Sequence, residues 1–138
     1  MNSLNIQRYG TGHKKLVAIH GLGSASSAWK LLKSALHADY ELITLDLPGH
    51  GDAKIVANKK MTPNILADIV TENLKLNGIE EFHLIGNSLG GWVALEMAAK
   101  YPESVRSLTA LAPAGLWLKL KNRRIFTLDF SRVLARIF

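Results

Sequence analysis

Gly86-Asn87-Ser88-Leu89-Gly90-Gly91 decides the fold. It follows a short apolar run, Phe82-His83-Leu84-Ile85, and opens a helix-forming one, Trp92 to Lys100. The pattern is Gly-x-Ser-x-Gly at a strand-to-helix junction, and that junction gives the pattern its meaning. A serine hydroxyl is a weak nucleophile unless it is presented beside a base, with hydrogen-bond donors waiting for the developing oxyanion. A sharp turn presents it so. Gly86 and Gly90 leave room where a Cβ would crowd a strained serine backbone. The following helix aims the positive end of its dipole at the turn. The bland alternative is a glycine-rich turn whose serine only caps the helix.

Working outward, strands and helices alternate. Leu4 to Tyr9 alternates apolar and polar, as a half-buried edge strand does. Leu16-Val17-Ala18-Ile19 is continuously apolar, as suits a strand covered on both faces, and it ends at His20-Gly21-Leu22-Gly23-Ser24. Trp29, Leu32 and Leu36 then predict a helix over 26–37 with Lys30 and Lys33 turned away. Tyr40 to Leu45 reads as a strand running into Asp46-Leu47-Pro48-Gly49-His50-Gly51, and 52–61 reads as an exposed loop. Thr62-Pro63 starts a helix, with threonine as N-cap and proline at the first helical position. Its buried face is Leu66, Ile69, Val70 and Leu74, and Asn77-Gly78 ends it. The strand at 82–86 and the helix 89–100 follow. That helix is apolar almost all round, which predicts a place deep in the core. Tyr101-Pro102 stops it. Val105 to Leu111 reads as a last buried strand.

This order predicts an α/β fold: a mostly parallel sheet with helices on both faces and right-handed crossovers. Ligands of such sheets sit at the carboxyl ends of the strands. His20-Gly21, Asp46 and Ser88 each fall at such an end, independently of the serine motif.

Composition narrows the function classes. The 138 residues include 48% hydrophobic and 20% charged, ordinary values for a globular domain. Cysteine is absent, which removes disulfides, thiol chemistry and cysteine-metal sites. No histidines or carboxylates are spaced as a metal pair, so neither metal nor cofactor is expected. The net charge of +6 is unevenly spread. Residues 1–114 hold 11 Lys and Arg against 10 Asp and Glu, whereas residues 115–138 hold 6 against one aspartate. A basic tail on a nearly neutral body does not describe a nucleic-acid-binding domain. The start, Met1 to Asn5, lacks the basic and apolar regions of a secretory signal, and no apolar run has the length to span a bilayer. A cytoplasmic protein is the expectation.

Together, His20-Gly21-Leu22-Gly23, Asp46-Leu47-Pro48-Gly49-His50-Gly51 and Gly86-Asn87-Ser88-Leu89-Gly90-Gly91 resemble the N-terminal part of an α/β-hydrolase-fold protein of the serine esterase and lipase type. The resemblance covers roughly residues 4–115 and rests on three motifs in order rather than on any single one. It implies that Ser88 is the nucleophile. It implies an oxyanion hole from the backbone N–H groups of Leu89 and Leu22. It implies structural parts for His20, Gly21, Asp46, Gly86 and Gly90, and a structural turn around His50. His13, His37 and His83 read as loop, helix-end and strand-start residues. Relatives that cleave carbon–halogen bonds or epoxides carry aspartate at the elbow. Ser88 points instead to acyl chemistry on a small-molecule substrate: ester, thioester, amide or activated carbon–carbon bond hydrolysis.

In this fold the catalytic order along the chain is Ser, then Asp or Glu, then His. Beyond Ser88 the sequence has no histidine, and its only carboxylates there are Glu96, Glu103 and Asp129. The resemblance thus implies a hydrolase fold interrupted after the family's sixth strand. Residues 1–115 would form the N-terminal part of the core. Residues 116–138, basic with an apolar stripe at Phe126, Phe130, Val133, Leu134 and Ile137, would begin the lid. A C-terminal half supplied as a second polypeptide, or a homo-oligomer, are partners that would complete it. A non-catalytic interaction module built on the same half-fold is the alternative, and a membrane-surface role for the basic stripe is the weaker third reading.

Overall fold

The computed structural model describes residues 3–36, 38–54 and 60–116. Five strands form one sheet in the order β1-β3-β2-β4-β5. They are β1 (Ile6–Tyr9), β2 (Lys14–Ile19), β3 (Tyr40–Leu45), β4 (Phe82–Asn87) and β5 (Val105–Leu111). β1 runs antiparallel to β3. The other pairs, β2 with β3, β2 with β4 and β4 with β5, are parallel. The first strand comes from the alternating segment, whose polar residues suit an edge. Arg8 on it donates to both carboxylate oxygens of Glu41, at 2.7 and 2.9 Å.

One face of the sheet carries the core. Val17, Ile19, Ile43, Leu45 and Leu84 point to one side and pack on Leu66, Val70 and Leu74 of α2 (Pro63–Leu76) and on Val93, Ala94 and Met97 of α3 (Leu89–Lys100). Leu74, Leu84 and Met97 are fully buried, and burying each such side chain contributes about 1.5–3 kcal/mol. α2 starts as the sequence predicts: the Thr62 hydroxyl accepts from the Ile65 N–H at 3.3 Å and proline occupies the first turn. It ends at Asn77-Gly78, with Gly78 at φ +70°.

Three local expectations change. The helix predicted over 26–37 is a 3-10 turn, Ser26–Trp29, followed by a short α1, Lys30–Ala35. Serine hydrogen-bonds to nearby backbone and so is weak within a helix, and the Ser26 N–H, free of any intrahelical partner at the start of the turn, donates to Asp46. No residue of α1 is fully buried and Leu31 is 82% exposed; His37 lies outside the described residues. α3 is not buried all round either. Its small residues Gly90, Gly91 and Ala94 face the sheet, whereas Trp92 is 37% exposed.

β5 is the third change. Its pattern reads as buried, yet Arg106, Ser107, Thr109 and Leu111 are exposed. Among the described residues it is a sheet edge with no further strand beside it. Residues 52, 54 and 60 of the predicted loop are exposed, and 55–59 lie outside the described residues.

Candidate active site

Ser88 directly follows the carboxyl end of β4 and occupies the N-cap position of α3, where its side chain makes no capping hydrogen bond. Its backbone has φ 54° and ψ −114°, a left-handed conformation outside the helical wells. For a residue with a Cβ this costs on the order of 1–3 kcal/mol, held only by its surroundings. The surroundings are glycines. A Cβ on Gly86 would lie 2.2 Å from the Gly90 carbonyl oxygen, and a Cβ on Gly90 would lie 2.3 Å from the Ile19 carbonyl oxygen. The turn is therefore closed so tightly, and packed so closely on the end of β2, that neither position tolerates a side chain.

The loop after β2 passes beside this turn. A Cβ on Gly21 would come within 3.4 Å of the Ser88 Cβ and of the Asn87 carbonyl oxygen. That brings the segment carrying Leu22 next to the serine. The loop bends back through a hydrogen bond from the Ser24 N–H to the Gly21 carbonyl at 3.2 Å.

His20 and Asp46 hold this loop. Both are buried. The Leu47 N–H donates to Nε2 of His20 at 3.0 Å, so Nε2 carries no proton; Nδ1 is then the protonated nitrogen and donates to the Gly21 carbonyl at 2.8 Å. Burial pushes the His20 pKa below the ordinary histidine value, and the neighbouring His50 ring, 5.2 Å away between centroids, adds to this. The Gly21 carbonyl and Asp46 only partly offset it. His20 is thus a neutral imidazole with both nitrogens engaged.

The Asp46 carboxylate accepts from the Ser26 N–H at 2.7 Å and from the Asp52 N–H at 3.2 Å. Burial raises its pKa. The donors at Ser26 and Asp52 outweigh that and leave it below the usual carboxylate value. Gly51 must be glycine here, since a Cβ would lie 2.4 Å from the carboxylate, and its φ is +52°. Asp46 therefore ties the loops after β2 and β3 together.

The other acids and histidines lie apart from the turn. Glu96 accepts from Trp92 Nε1 at 3.2 Å and from Asn64 Nδ2 at 3.4 Å, on the outer side of α3. Glu103 is exposed in the turn after α3. His83, at the start of β4, lies 2.7 Å through Nδ1 from the Ser107 hydroxyl, and His13 is exposed. His50 bonds the Pro48 carbonyl through Nδ1 at 3.2 Å. Asp129 and the apolar stripe of the tail lie outside the described residues. Among the described residues no three His, Cys, Asp or Glu side chains are grouped to hold a metal ion. No helix among them is long and apolar enough to cross a membrane.

One part of the site escaped the sequence reading. After β5, the chain turns at Ala112, which also has positive φ, 40°. The Ser88 N–H donates to the Leu111 carbonyl at 3.0 Å, and the Ala114 N–H donates to the Ser88 carbonyl at 2.9 Å. The only signal was the turn-forming composition of Ala112-Pro113-Ala114-Gly115 directly after a strand.

The sheet is mostly parallel, and a left-handed serine with glycines two residues to either side stands between β4 and α3. The profile of the alpha/beta hydrolase fold family matches residues 14–131, and the chain belongs to that family. It is 38% identical over 107 residues to the dihydrolipoyllysine-residue acetyltransferase component of the acetoin cleaving system of Pseudomonas putida, an alignment covering 78% of this chain and 29% of that protein. It is 34% identical over 116 residues to the pimeloyl-[acyl-carrier protein] methyl ester esterase of Aeromonas hydrophila, covering 84% of this chain and 44% of that one. Among solved structures, a bacterial membrane phospholipase A described as a virulence factor superposes with a TM-score of 0.83 at 29% identity, covering 93% of this chain and 42% of that one. The chain thus spans less than half the length of these relatives.

Proposed function

We propose that the chain is the nucleophile-bearing part of a serine hydrolase acting on a small-molecule carboxylic ester or related acyl substrate. The observation that carries this reading is the backbone of Ser88, held left-handed at the carboxyl end of β4 with Gly21 against it. Ser88 Oγ attacks the substrate carbonyl carbon and gives its proton to a histidine. The N–H groups of Leu22 and Leu89 receive the oxyanion; the alcohol leaves, and water then releases the acyl group. No cofactor takes part. His20, Gly21, Asp46, Gly86 and Gly90 shape the site without touching the reacting atoms. The relatives described above as an esterase, a phospholipase and an acetyltransferase component support ester and acyl chemistry over other reactions.

The acid and the histidine have no counterpart among these residues, since no histidine follows Ser88. In the proposed arrangement they come from a C-terminal half. Residues 1–115 are the core portion and 116–138 begin the lid, with nucleic acid and membrane playing no part and the cytoplasm as the working compartment. The second reading is a half-fold kept as an interaction module.

One experiment separates the two. The purified chain is mixed with the C-terminal half of a relative, supplied as a second polypeptide, and treated with a fluorophosphonate probe. Labelling that requires both halves and is lost in Ser88→Ala supports the hydrolase reading. Labelling that survives Ser88→Ala assigns the nucleophile elsewhere. A stable complex that never labels favours the interaction module.

A further inference from the structure

We infer that the turn Leu111–Ala114 is a two-sided backbone clamp on Ser88 that also aims the Leu89 N–H, with Ala112 as the positioning residue that sets the turn. The inference rests on the reading of Ser88 as nucleophile for its catalytic meaning, and on the hydrogen bonds alone for its geometry.

Ser88 is gripped on both of its peptide groups. Its N–H donates to the Leu111 carbonyl at 3.0 Å, and its carbonyl accepts from the Ala114 N–H at 2.9 Å. The second bond adds to the one that the carbonyl accepts from the Trp92 N–H at 3.1 Å, the first turn of α3. A serine at the start of a helix would ordinarily be held from the helix side alone. Here the chain leaving β5 holds it from the other side as well.

The consequence for chemistry follows from peptide planarity. The carbonyl of Ser88 and the N–H of Leu89 belong to one rigid plane and point in opposite directions across it. Fixing the carbonyl on Ala114 therefore fixes where the Leu89 N–H points. A donor aimed before the reaction needs no reorganisation when the oxyanion forms. Ala114 thereby orients an oxyanion donor from the far side of its peptide plane, without touching substrate.

Ala112 makes the second bond reachable; the first is the closing rung of the β4–β5 ladder, in which Asn87 pairs with Leu111. Its φ of 40° reverses the chain directly after Leu111, so that residue 114 returns to the residue that 111 contacts. Left-handed backbone is uncommon for residues other than glycine and an outlier for β-branched ones. The turn is seated on α3 as well: a Cβ on Gly91 would lie 2.9 Å from Pro113 Cβ.

The test is amide hydrogen exchange on the 138-residue chain, read by NMR. The clamp predicts slow exchange of the Ser88 and Ala114 amides in the unsubstituted protein. Ala112→Val, which cannot hold a left-handed backbone comfortably, should speed the Ala114 amide by about tenfold, the scale of one lost hydrogen bond, while the Ser88, Val17 and Leu84 amides, held by the sheet, stay slow. Ala112→Gly should keep both protected. Fast exchange at Ala114 in the unsubstituted protein overturns the clamp, and this holds even if Ala112→Val does not fold. Unchanged protection of Ala114 in a folded Ala112→Val overturns it too.

In the complemented protein, Ala112→Val should slow the fluorophosphonate bond-forming step by about tenfold with unchanged probe affinity, and Ala112→Gly should restore it. A loss of probe affinity alone would count against positioning. Protected amides with no labelling in any variant would leave the clamp standing and sink only the nucleophile reading.

Discussion

The backbone N–H of Leu47 donates to Nε2 of His20 at 3.0 Å, across 27 residues of sequence. This bond joins the ends of β2 and β3 and requires an unprotonated Nε2. The folded state therefore resists protonating His20, whose pKa lies below the ordinary value of 6.5. The unfolded chain takes up that proton first as the pH falls. Stability is thus unaffected by His20 above the unfolded pKa and declines as the pH drops below it. Asp46, also depressed, is favoured as a carboxylate; its contribution is present above 3.8 and is lost below that value. Urea midpoints measured against pH should show both declines. His20→Asn should flatten the upper one, and an unaltered profile in that variant would refute the assignment.

Alone, the chain should not turn over esters. Loss of a triad histidine costs on the order of 10⁴–10⁶ in kcat. Hydrolysis of a short-chain p-nitrophenyl ester by the purified chain should match buffer and be unmoved by Ser88→Ala. Turnover that Ser88→Ala abolishes would point to a base among the histidines present. His50 would then be the first to substitute, because both nitrogens of His20 are engaged.

Gly86→Ala and Gly90→Ala should each destabilise the fold by at least about 2 kcal/mol, because the new methyl meets backbone carbonyls that cannot step aside. Gly78→Ala provides the contrast. It has the positive φ of 70° but open space around it, so its cost should be near 1 kcal/mol from backbone conformation alone. Denaturant titrations giving equal losses at all three positions would contradict the steric account.

β5 offers an unpaired edge on the described part of the sheet, with Leu111 42% exposed. Such edges pair with other chains. Size-exclusion chromatography should show concentration-dependent association of the isolated chain. Thr109→Lys, a charge on the exposed strand, should reduce it. A monomer at all concentrations would contradict the prediction.

Much of this architecture was readable before any coordinates. The run Leu16-Val17-Ala18-Ile19 is continuously apolar, as a strand covered on both sides of a parallel ladder is, and the largely apolar segments 40–45 and 82–86 mark two more strands. Thr62-Pro63 and Asn77-Gly78 bracket α2 because capping is a local matter. The left-handed serine is announced by Gly86 and Gly90. What was hidden depends on distant partners. The anchoring of the first turn to Asp46 through the Ser26 N–H is a contact across 20 residues. The exposure of β5 depends on what lies beside it, which its own apolar pattern cannot express. The composition of Ala112-Pro113-Ala114-Gly115 marks a turn, but alanine does not advertise that residue 112 is left-handed.

The strand order also sets a sequence of events in folding. β4, α3 and β5 are consecutive in the chain and can meet early. β2 must find β4 across the whole of β3 and α2, pairing Leu16 with His83. Such non-local pairing is slow, because loop closure precedes its reward. α3 begins flush against β2, with Gly90 pressed on the Ile19 and His20 carbonyls. Pulse-labelling exchange should find the Ser88 amide, bonded to the Leu111 carbonyl, protected together with β4 and β5 and ahead of the amides of β2. The positive-φ turn at residue 88 is thus completed inside the half of the sheet that assembles first, and the end of β2 docks onto it afterwards at Gly90.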